Sequence, residues 1–121
     1  MTLTFVETEV FTSRWKRRLD DSALRALQRA LMDNPLGGAP IPGCGLLRKL
    51  RFADRSRGKG TRGGIRVIYM HTGDASRIDF ITVYGKDEKD DMSKRDLNAL
   101  CDLARALRIQ IRAEASSRTE M

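Results

Sequence analysis
Three runs rich in β-branched and aromatic residues dominate the second half of this 121-residue chain: 46–53 (LLRKLRFA), 65–72 (IRVIYMHT) and 77–84 (RIDFITVY). Each is the length of an ordinary strand and is bounded by turn residues. Thr72-Gly73-Asp74-Ala75-Ser76 separates the last two by a short hairpin turn, so they close antiparallel. The 54–64 connection (DRSRGKGTRGG) is polar and glycine-rich, and its composition predicts a mobile loop that brings Arg55, Arg57, Lys59 and Arg62 to the strand ends. Together these segments predict a three-stranded antiparallel meander.

The flanking segments carry helical periodicity. Residues 4–11 read as a first strand with one buried face. Ser13 is then placed to cap a short helix over 14–19 (RWKRRL), and Asp20, Asp21 and Ser22 supply the cap and first turn of a second. There Leu24, Leu27 and Leu31 share one face, and Asn34-Pro35 ends the helix because the residue before proline avoids the helical region. The stretch 35–45 (PLGGAPIPGCG) holds all three prolines and reads as a loop. Past residue 91, Ser93 and Asp96 form a capping box ahead of an apolar stripe through Leu97, Leu100, Ala104, Leu107 and Ile111, so this last helix is expected to lie on the sheet. Residues 1–112 read as one domain and 113–121 as a flexible tail.

Charge then narrows the class of partner. Residues 48–66 carry eight Lys or Arg against one Asp, a net +7 that equals the formal charge of the whole chain. A cationic patch of this density calls for an anionic partner, and a nucleic acid fits first because each neutralised phosphate releases condensed counterions. No apolar run is long enough to cross a bilayer and residues 1–10 lack signal-peptide character, so the expectation is a cytosolic protein. Cys44 and Cys101 stand 57 positions apart with no CxxC or nearby histidine, and they read as small apolar fillers rather than a bridge or a metal site.

Strand alternation puts Leu47, Lys49 and Arg51 on one face of the first central strand and Arg66, Ile68 and Met70 on one face of the next. If the meander aligns them, three cations converge where a phosphate could sit, with Tyr84 and Lys86 closing the site. The strings LRKLRF, KGTRGGIRVIYMH and FITVYGKDEKDDMS, in the order strand, two helices, strands and final helix, resemble the RelE/HigB-type toxins of type II toxin–antitoxin modules over about residues 2–108. The combination G-G-x-R-[VI]-I-Y with a later strand ending Y-G-K-x-E is similar to the HigB-like branch.

The resemblance implies an α+β, RelE-like fold with a small antiparallel sheet, two N-terminal helices and one C-terminal helix. It also implies a ribosome-dependent endoribonuclease that cuts messenger RNA in the decoding site without a cofactor, held inactive by a helix-turn-helix antitoxin. Carried over by position, its catalytic set falls on Lys49, Arg51, Arg66, Tyr84 and Lys86, and its loop cations on Lys59 and Arg62; Arg48, Arg55 and Arg57 of the same basic stretch join these two as candidate RNA- or ribosome-binding residues. The C-terminal catalytic tyrosine of the RelE branch has no match after Lys86, which leaves Tyr84 as the candidate in its place. A lysine acts as a base only where neighbouring cations disfavour its charged form, and Lys49 is the candidate; the arginines suit charge stabilisation.

Other features read blandly. His71 is the only histidine and lacks a partner residue. Gly58-Lys59-Gly60-Thr61 lacks the full P-loop pattern. Asp87, Glu88, Asp90 and Asp91 suit a solvated run ahead of a helix N-terminus, and Trp15 suits packing. The competing reading is a non-catalytic nucleic-acid- or ribosome-binding module whose patch only grips phosphate.

Overall fold
The structure is a computed structural model and describes residues 2–53, 64–86 and 92–119. Its elements run β1 (Thr4–Glu7), α1 (Glu9–Lys16), α2 (Asp21–Asp33), β2 (Ala39–Ile41), β3 (Cys44–Phe52), β4 (Ile65–Thr72), β5 (Arg77–Gly85) and α3 (Lys94–Thr119). The five strands form one sheet in the order β1-β5-β4-β3-β2. The expected meander is its centre, β3-β4-β5, all antiparallel. β1 joins β5 in parallel and makes the sheet mixed, while β2 forms inside the proline-rich segment and pairs antiparallel with β3.

Helices cover both faces. On one, α1 and α2 bury Phe11, Trp15, Leu27 and Leu31 against Val67, Tyr69, Ile78 and Phe80. Phe11 stacks on Phe80 at 4.8 Å and on Trp15 at 5.5 Å between ring centroids, so the aromatic pair four residues apart on α1 is the wedge of this layer. On the other face α3 lays Cys101, Ala104 and Ile111 over Leu47, Ile68 and Met70. β4, central and covered on both sides, is buried along nearly its whole length, which is why it reads as a continuous apolar run rather than an alternating one.

Two local differences from the sequence expectation have simple causes. The first strand ends at Glu7 because Thr8 caps α1: its hydroxyl accepts from the Phe11 amide at 3.0 Å and donates to the Ile81 carbonyl at 2.7 Å. A cap that also ties to β5 outweighs the strand propensity of Val10 and Phe11. α2, in contrast, starts at the expected Asp20 cap, which accepts from the Ala23 amide at 2.9 Å, and ends at Asn34. α3 continues past Ala113 through Thr119, with Arg112 reaching Asp74 at 3.1 Å and Gln110 reaching Glu114 at 3.3 Å.

The cysteines require a correction. Cys44 at the start of β3 and Cys101 in α3 are joined by a disulfide with their Cα atoms 5.8 Å apart, both buried, instead of lying as separate apolar fillers. Their separation in sequence hides a contact that only the packing of α3 across the sheet creates.

The 35–38 segment is anchored from beneath. Tyr69 donates its hydroxyl to the Pro35 carbonyl at 2.8 Å and accepts from the Gly38 amide at 2.9 Å, while Arg48 donates to the Gly38 carbonyl at 2.7 Å. A Cβ on Gly38 would stand 2.8 Å from Tyr69 Cε1 and 3.1 Å from the Lys49 backbone, so only glycine fits. Tyr69→Phe leaves a buried amide and a carbonyl without their partner and is expected to cost about 1–3 kcal/mol. Urea unfolding checks this, and a change below about 0.5 kcal/mol would show that the node carries little stability.

Candidate active site
The sheet register assembles the central candidates. Arg51 lies opposite Arg66 across β3 and β4, and Arg66 lies opposite Tyr84 across β4 and β5. One transverse row therefore carries Arg51, Arg66 and Tyr84 over two strand spacings, about 10 Å. Lys49 sits in the next row, opposite Ile68, and Thr82 completes it. All five share the face that α3 covers, at the end where β3 finishes and β4 begins.

The candidates differ in exposure. Arg51 and Lys86 are exposed and Lys49 is half-buried, whereas Arg66 is 4% exposed and Tyr84 2%. Arg66 is thus not the solvated strand-face cation that alternation alone suggests. Its guanidinium donates to the Ile65 carbonyl at 3.3 Å, and Tyr84 packs into the apolar layer beneath α3. A buried guanidinium flanked on the adjacent strands by an exposed arginine and a tyrosine forms a graded set: outer groups can meet a phosphate first, and the inner cation supplies positive charge from a drier environment.

Arg48 is set apart from this group. It is in register with Tyr69, on the opposite face of the sheet, and donates to the carbonyls of Gly38 and Leu36. Arg55, Arg57, Lys59 and Arg62 lie outside the described residues, as do Gly58, Gly60, Thr61, Asp87, Glu88, Asp90 and Asp91. His71, near the end of β4, lies away from the row. Burial first, then the charges of Arg48 and Arg108, lower its pKa, which keeps the ring neutral at pH 7. Among the described residues no group of three or more His, Cys, Asp or Glu could hold a metal ion, and no helix is long and apolar enough to cross a membrane.

A second cationic feature escaped the charge sum. At the corner between α1 and α2, Lys16, Arg17 and Arg18 line a cleft of about 900 Å³ with Phe52 and Ala53 at the end of β3. The string Arg14-Trp15-Lys16-Arg17-Arg18 signals it, with four cations in five residues and no acid. Acidic residues elsewhere cancel these charges in the total and conceal their clustering.

No protein-family model matches the chain. Among solved structures, a mutant of the E. coli toxin RelE in the free state matches with a TM-score of 0.51 at 17% identity, covering 74% of this chain and 90% of that one. The isolated E. coli RelE toxin matches with a TM-score of 0.49 at 17% identity, over 84% and 99% of the two chains. The intact E. coli RelBE toxin–antitoxin complex matches with 0.47 at 17% identity, over 68% and 94%. The first of these likenesses shows that the expected α+β, RelE-like fold is the fold of this chain.

Proposed function
We propose that this chain is the toxin of a type II toxin–antitoxin module, a ribosome-dependent endoribonuclease that cleaves messenger RNA in the decoding site. The observation that carries the reading is the transverse Arg51–Arg66–Tyr84 row beside Lys49, on a fold shared with the toxin RelE. The sequence resemblance to the HigB-like branch points the same way. Such a protein works in the cytoplasm, where its substrate is translated, and a helix-turn-helix antitoxin restrains it.

The chemistry is attack of a ribose 2′-oxygen on the adjacent phosphorus. Lys49 takes the 2′-hydroxyl proton as the new P–O bond forms. The P–O5′ bond then breaks, and the departing 5′-oxygen receives a proton from Tyr84 or Lys86, leaving a 2′,3′-cyclic phosphate and a 5′-hydroxyl. Arg51 and Arg66 hold the charge that builds on the non-bridging oxygens. These steps require no metal or organic cofactor. Binding in the decoding site aligns the 2′-oxygen with the scissile bond and supplies through positioning what the side chains lack.

The test is to incubate purified protein with one transcript, free and on programmed ribosomes, and to map the 5′ ends. Efficient cutting only on ribosomes is the expected result, and equal rates in both settings would reject ribosome dependence. The burial of Tyr84 favours a second reading, a non-catalytic module that grips RNA through Arg51, Lys49 and Lys86. Ribosome binding without cleavage would select it.

A further inference from the structure
The α1–α2 corner cleft lies on the opposite side of the sheet from the Arg51–Arg66–Tyr84 row, yet the two meet at the end of β3. Arg51 projects to the α3 face, and the next residue, Phe52, packs with the α1–α2 layer and lines the cleft. Neighbouring Cα atoms are about 3.8 Å apart, so a chain-like ligand that reaches one site is at the threshold of the other.

The cleft is built rather than incidental. Trp15 donates its indole N–H to the Asp20 carbonyl at 3.1 Å, which fixes the turn between α1 and α2, and its ring packs against Phe52 with centroids 6.1 Å apart. Asp20, the acid in the lining, has its carboxylate engaged as the cap of α2. What remains is a wall carrying Lys16, Arg17 and Arg18 and an apolar floor that includes Phe52. Cations that track a backbone beside an aromatic surface that accepts any base are what single-stranded nucleic acid requires. The cleft is open to solvent, and its volume falls within the range of about 300–1,000 Å³ found for ligand clefts.

We propose that this cleft is a second RNA subsite, which holds the phosphodiester backbone of the single strand that continues from the Arg51–Arg66–Tyr84 row around the end of β3. The inference rests on the ribonuclease reading and adds a path for the substrate. Lys16 and Arg17, both exposed, contact the phosphates, and Phe52 offers a face to a base.

The experiment uses the full chain and fluorescein-labelled, 2′-O-methyl oligouridylates of three and twelve nucleotides, which bind without being cut, titrated by polarisation between 50 and 200 mM salt. Lys16→Ala/Arg17→Ala is expected to weaken the twelve-mer by about tenfold and to reduce its salt slope by about 1.4, or 0.7 for each lost phosphate contact. The three-mer, which fits in the row alone, should keep its affinity. Lys16→Gln/Arg17→Gln, which preserves the side-chain stems, should behave alike, and both should melt with the wild-type chain. Arg25→Ala/Arg29→Ala removes the same charge from exposed positions of α2 outside the cleft and should leave both oligomers bound as before. Equal weakening by the α2 pair, or a twelve-mer bound unchanged by the Lys16/Arg17 variants, would overturn the subsite while the ribonuclease reading stands. A wild-type chain that binds neither oligomer would also overturn the subsite, while the ribonuclease reading would still be decided by cleavage on programmed ribosomes.

Discussion

Arg66→Gln should lower cleavage of ribosome-bound messages by about a hundred- to a thousandfold, the loss that follows removal of one preorganised group stabilising transition-state charge. Arg66 occupies the middle of the row, between Arg51 and Tyr84, and is the most deeply placed of its cations. Its electrostatic effect is therefore less screened than that of Arg51. Glutamine keeps much of the side chain and a polar, uncharged end, so it separates charge from packing better than alanine does. The measurement is single-turnover cleavage on programmed ribosomes, beside a thermal melt of the isolated protein. A folded variant that cuts at the wild-type rate would place the chemistry elsewhere.

Removing the disulfide should have the largest effect on stability. Cys44→Ser/Cys101→Ser frees two residues 57 positions apart, and closing a loop of that length in the unfolded chain is worth about 4 kcal/mol. Both sites are buried between α3 and the sheet, so each new hydroxyl also needs a hydrogen-bond partner. Urea unfolding of the wild-type chain with and without a thiol reductant isolates the first contribution, because the reduced protein has the same atoms apart from the bridge. A reduced form as stable as the oxidised one would mean that the bridge contributes nothing beyond the packing around it.

These two expectations differ in how much of their basis was legible in the sequence. The faces of the row were, because period-two alternation puts Lys49 with Arg51 on β3 and Arg66 with Ile68 on β4; that Arg51 comes to lie opposite Arg66 was only a condition, since the 54–64 connection between these strands fixes no register. Alternation says nothing about depth, so the burial of Arg66 and Tyr84 depended on where α3 came to rest. The disulfide was not legible, since no local spacing encodes a contact between a strand start and a helix that arrives half a chain later. β1 and β2 show the same divide. Val6 alongside Asp79 and Ala39 alongside Lys49 are tertiary facts, and short segments acquire strand structure from the neighbour that pairs with them. The helix caps at Asp20 and Ser93 were visible because they are local, and Thr8 belongs with them: its hydroxyl three residues before Phe11 is the same signal, masked by strand-forming neighbours.

The parallel pairing of β1 with β5 bears on how the protein is made. Thr4 to Glu7 find their partners at Arg77 to Phe80, so β1 leaves the ribosome well before β5 and must wait for it. Until then Phe5 has no Phe80 to stack on and the aromatic wedge of α1 has no complete floor. Non-local closure of this kind slows folding, because chain entropy is lost before the contacts that offset it can form. The cationic row also needs β5, so until that strand has left the ribosome and paired, Arg51, Arg66 and Tyr84 do not stand side by side.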